Sequence, residues 1–103
     1  MEYTKMVLCA ARHSHPAIDG LPAIFEGEIN PMEFSTLFLT AVDRLDGVQA
    51  LDLYVTGLTP ALVAVLNVCI ISAIPCRLWH YNRATNAYDV QIVATDNYYT
   101  ARN

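Results

Sequence analysis

Apolar residues in this chain fall into short unbroken runs separated by polar, glycine- or proline-marked breaks. "KMVLCAA", Lys5 to Ala11, is apolar after its lysine and has strand length, as a central strand buried on both faces requires. "RHSHPAIDGLP" has the composition of a loop. "AIFEGEI", Ala23 to Ile29, reads as a shorter strand with Gly27 inside it. In "NPMEFSTLFLTAVDRLDG", Phe34, Leu37, Phe38, Ala41 and Leu45 recur at helical spacing. Asn30 and Glu33 offer a capping box around Pro31, and Gly47 is the stop. "ALDLYVT" is the next strand. Thr59 is then a natural cap for a helix over residues 60–73 that Pro75 ends. "CRLWHY", the turn "NRATN" and "YDVQIVA" form a hairpin. The order β-β-α-β-α-β-β implies a small Rossmann-like α/β domain over residues 1–103. Its sheet is mainly parallel, with two helices and a C-terminal antiparallel hairpin.

The second helix has almost no polar side; only Asn67 and Ser72 interrupt it. A helix on one face of a sheet buries about half its circumference, so an all-apolar one needs a second cover. A second copy of the chain, meeting its partner through residues 60–73 in a two-fold homodimer, supplies that cover. A tail folded back through Tyr98 and Tyr99 is the other arrangement.

Composition strengthens the case for a partner surface. Of 103 residues, 54% are hydrophobic and only 16% charged, more apolar surface than so short a chain easily hides. The net charge of −4 argues against a long nucleic acid as ligand, which needs a basic stripe. It leaves room for a small anion held by local donors. Cys9, Cys69 and Cys76 lie in apolar runs without CxxC spacing, as free thiols in a reducing compartment do. The N-terminus carries an acidic residue and only a short apolar stretch, unlike a signal peptide, and no apolar run reaches membrane-spanning length. A cytoplasmic protein is expected.

Two strand-to-helix corners carry the candidate chemistry, "EINPM" and "VTGLTP". In parallel sheets ligands sit beyond the carboxyl ends of the strands, where helix amino ends offer free N–H groups. Asn30 lies at the first corner. At the second, Thr56, Leu58 and Thr59 flank Gly57, whose missing side chain admits a close ligand. The alternative is a plain turn and cap. "RHSH" adds Arg12, His13 and His15 after the first strand; His80 and Arg83 follow in "LWHYNR". No Asp, Glu or Cys stands at ligand spacing from the histidines, so neither metal nor cofactor is expected. If the loop from Arg12 to Leu21 is a hairpin, "RHSH" lies on the far edge from "TGLT". If it crosses the sheet, the two meet.

"YVTGLTPALVAVLNVC" followed by "CRLWHYNRATNAYDVQ" resembles the small CRISPR-associated Rossmann-fold (CARF) group, over roughly residues 50–92. Several compact members of that group are ring nucleases. The resemblance implies a homodimer that binds a cyclic oligoadenylate across its two-fold axis and cleaves it without metal. It does so by placing a ribose 2′-hydroxyl in line with its own phosphodiester. On that reading Thr56, Gly57, Leu58, Thr59 and Asn30 hold phosphate or ribose. His80, His13 or His15 moves the proton, and Arg12 or Arg83 stabilises negative charge. A non-catalytic sensor or sequestering protein for a cyclic nucleotide or other small phosphate ester uses the same pocket.

Overall fold

The computed structural model describes residues 2–10 and 14–93. Among them five strands form one sheet: β1 (Thr4–Cys9), β2 (Ala23–Phe25), β3 (Leu51–Tyr54), β4 (Cys76–Asn82) and β5 (Ala87–Val93). The spatial order is β2-β1-β3-β4-β5. The first four strands are parallel, and β5 returns antiparallel to β4. Helices α1 (Phe34–Arg44) and α2 (Thr59–Ile71) supply the β2-to-β3 and β3-to-β4 crossovers. This is the expected small Rossmann-like sheet with a C-terminal hairpin.

Side-chain alternation divides the sheet cleanly. Met6, Leu8, Ile24, Leu51, Leu53, Cys76 and Leu78 pack under the helices. Val7, Ala23 and Tyr54 face the other way, against Ile18 and Leu21 of the connection between β1 and β2. The parallel β1–β2 pairing therefore makes the connection from β1 to β2 a crossover; its described residues form no helix, and Ile18 and Leu21 lie on the face opposite α1 and α2. Of the two arrangements open to the first loop, this is the crossing one.

Several element ends differ from expectation, each for a local reason. β2 stops at Phe25, and Gly27 lies beyond it with φ +74°. α1 starts at Phe34, because Asn30 Oδ1 accepts from the Met32 N–H two residues on and holds a turn there. The Asn30 amide then donates to Glu33 Oε1, at 3.2 Å. α2 starts at Thr59 itself. Leu58 holds the extended cap position, and no side chain caps the helix. At its far end Ala73 takes φ +53°, and the Ile74 N–H closes onto the Cys69 carbonyl at 2.8 Å. That left-handed stop ends the helix two residues before the predicted limit.

The inner side of α2 is made of Ala61, Ala64, Val65, Val68 and Cys69. Its outer side leaves Val63, Ile70 and Ile71 exposed, and α1 beside it exposes Phe34, Leu39 and Val42. The apolar surface that the described residues leave uncovered thus spans both helices. The alternative cover, the tail with Tyr98 and Tyr99, lies outside the described residues. Among the described residues, no helix is long and apolar enough to cross a membrane.

Candidate functional site

The chain leaves β1 toward β2 on one face and leaves β3 toward β4 on the other. The carboxyl ends of these adjacent strands are thus a topological switch point, where parallel sheets open a crevice. A crevice of about 1070 Å³ lies there. Cys9 at the end of β1 with Ala10 after it, Gly27 to Ile29 after β2 and Val55 to Leu58 after β3 line its floor and one side. Ser14, His15 and Ile18 of the crossover and Tyr81, Asn86 and Tyr88 of the hairpin form the other side.

Thr56 is the pin of this switch point. Its hydroxyl accepts from the Cys9 N–H at 3.0 Å and donates to the Cys9 carbonyl at 2.6 Å. It thereby ties β3 to β1 where their hydrogen-bonded ladder ends. The hydroxyl expected to hold a ligand is thus committed to the backbone. Gly57 has an equally internal reason. Its φ is +93°, and a Cβ there would lie 2.8 Å from Cys9 Sγ and 2.9 Å from Cys9 Cβ. The space the missing side chain admits is taken by Cys9. Burial pushes the Cys9 thiol up, and a hydrogen bond from the Leu58 backbone pulls it back only in part. The group on the crevice floor is a neutral thiol.

His15 lines the crevice, but both its nitrogens are occupied. Nδ1 faces the Ala17 N–H at 3.0 Å, and Nε2 lies 3.0 Å from the Asn86 carbonyl. These partners assign the neutral tautomer with the proton on Nε2. The ring ties the crossover to the hairpin and meets Tyr81 and Tyr88 edge-on, at 5.8 and 5.2 Å. His80 sits elsewhere. It alternates with Leu78 onto the helical face of β4, and its Nε2 is 2.7 Å from Gln91 Oε1. It therefore does not reach the crevice, although its strand ends on that edge. Arg83 is in the exposed hairpin turn and Asn30 in a separate small groove beside α1; neither lines the crevice. Thr59, the first residue of α2, does not line it either. Arg12 and His13 lie outside the described residues.

What sequence reasoning missed is the aromatic wall and its anchor. Tyr81 and Tyr88 meet at 5.5 Å, Tyr88 meets Tyr54 at 5.2 Å, and Tyr54 stacks on Trp79 at 5.7 Å and 13°. The Trp79 indole donates to Asp52 Oδ1 at 2.9 Å. Asp52 is buried and takes a two-pronged bond from Arg77, at 2.7 and 2.8 Å. Arg77 in turn lies 3.7 Å from the centre of the Tyr3 ring. Burial alone would raise the Asp52 carboxyl. The hydrogen bonds from Arg77 and Trp79, with the charges of Arg77 and Lys5, outweigh it and hold the group below its ordinary value. Alternating Asp52–Tyr54 on β3 and Arg77–Trp79–Tyr81 on β4 was the available signal: one polar-aromatic stripe per strand on a single face.

The only charged side chain among the described lining residues is Glu28. The groups left to a ligand are that carboxylate, the Tyr88 hydroxyl, the aromatic faces and the turn at Leu58 that leads into α2. No family model matches the chain, and no match was found to a curated protein or to a solved structure.

Proposed function

We propose that the protein is a binding module for a small phosphate ester bearing a planar ring, a nucleotide-type ligand, held in the switch-point crevice. The observation that carries this is the coincidence of the crevice with the switch point and with an aromatic wall anchored through Trp79 to a buried carboxylate. The volume is at the upper end of the range for small-molecule sites. The ring belongs against Tyr81 and Tyr88. The ester belongs beside Leu58, the extended residue before α2, where the helix dipole favours negative charge. Glu28 repels a phosphate and so fixes that orientation, accepting from N–H groups at the ring edge.

Cleavage of a cyclic oligoadenylate is the second reading, favoured by the uncovered apolar surface of α1 and α2. Residues 60–73 there, joined by Leu39 and Val42, offer the contact for a homodimer. With both nitrogens of His15 engaged and His80 away from the crevice, chemistry on this reading rests on in-line positioning, or on Arg12 and His13. Incubation with adenosine monophosphate, cyclic dinucleotides and cyclic tetra-adenylate, followed by equilibrium binding and product analysis, separates the readings. Retention of intact ligand is the result expected of a binding module. Linear products indicate a ring nuclease, and neither binding nor turnover removes both.

A further inference from the structure

The two edges of the sheet differ. β2 is three residues long, the short kind of edge that resists pairing. β5 runs for seven residues, pairs among the described residues only with β4, and carries no proline or lysine; Asp89 is its one charge. Val90 and Ile92 share a face with Trp79 and Arg77 and are 48% and 49% exposed. On the other face Asp89 and Gln91 look outward, the first held by Asn82 at 2.9 Å and the second by His80. Among the described residues no strand occupies the outer side of β5.

The sequence of this edge complements itself. Val90 is the middle residue of Ala87–Val93. An antiparallel copy centred there pairs all seven positions: Ala87 with Val93, Tyr88 with Ile92, Asp89 with Gln91 and Val90 with itself. One face then becomes a continuous row of Tyr88, Val90 and Ile92 from both chains. On the other, each carboxylate meets an amide. Centring on Asp89 sets two carboxylates against each other, which is unfavourable, and centring on Gln91 leaves Ala87 and Tyr88 unpaired.

We infer that two copies of the chain pair antiparallel along β5 with Val90 on the two-fold axis, joining two five-stranded sheets into one. A second copy satisfies the backbone groups of the edge and sets Val90 and Ile92 beside apolar side chains of the partner in the same contact. Mild oxidation with diamide of full-length chains carrying Val90→Cys or Gln91→Cys tests it, with the unsubstituted chain as control for the native thiols. Val90→Cys is expected to give a covalent dimer that a reductant collapses, because cross-strand partners on the axis lie within disulfide reach. Gln91→Cys, opposite Asp89 and not its own copy, is expected to give no more dimer than the control. In light scattering Val90→Lys is expected to halve the mass of the assembly. No cross-link from Val90→Cys, an equal one from Gln91→Cys, or an unchanged mass for Val90→Lys overturns the pairing.

Discussion

At the scale of single residues, Cys9, Thr56 and Gly57 are one device. The Thr56 hydroxyl bridges both backbone groups of Cys9, and the Cys9 side chain fills the place of a Gly57 Cβ. Gly57→Ala therefore both clashes and strains a left-handed φ, and is expected to cost about 2 kcal/mol or more in urea unfolding. Cys9→Ala in that background removes the Sγ contact and should recover part of the loss. Additivity of the two changes would contradict the contact. Asp52 gives the pH dependence. Its folded value is lowered, so its contribution is complete above the unfolded value, about pH 4, and drains as pH falls through the folded one. Wild type should lose stability below about pH 4, and Asp52→Asn should lack that part of the slope. At pH 7 Asp52→Asn should cost about 2 kcal/mol, less than a fully buried pair because the Arg77 side chain is 33% exposed. Urea midpoints from pH 3 to pH 7 check both statements.

At the scale of elements, α2 ends on Ala73 in a left-handed conformation, where glycine is the usual residue. Ala73→Gly should stabilise the fold by about 0.5–1 kcal/mol, the relief of strain exceeding the entropy glycine adds to the unfolded chain. A lower urea midpoint for this variant would contradict it. The strands, both helices and their order were legible in the sequence because unbroken apolar runs and Pro or Gly stops mark them. The direction of β1 was not, since it depends on which way residues 10–22 run and on Ile18 packing over Val7 and Tyr54. The crevice was half legible. The turn Thr56-Gly57-Leu58 was found from its residue types, but its inward roles depend on Cys9, forty-seven positions away. The wall of Tyr81 and Tyr88 escaped because aromatic residues in strands read as core, whereas these alternate onto a face that the crossover covers only in part. His80 shows the converse: its position along β4 was right for the edge, and strand alternation turned its ring to the other face.

At the scale of the whole molecule, the described residues leave apolar surface uncovered on both helices, and a chain of 11.4 kDa with so little charge is expected to self-associate. Ile70→Glu would bury a charge in a contact through α2, so it should lower the mass of the assembly measured by light scattering. An unchanged mass would place that contact elsewhere. The crevice and the exposed side of the helical layer lie on different parts of the molecule, so ligand binding should survive this change. The central claim, that the switch-point crevice takes a nucleotide-type ligand, is tested most directly by an amide NMR titration with adenosine monophosphate and with cyclic tetra-adenylate. The account predicts saturable shifts clustered at Cys9, Gly57, Leu58 and Tyr88, weakened about tenfold or more by Tyr88→Ala through lost stacking. Shifts confined to the groove at Asn30, or none with either compound, would contradict it.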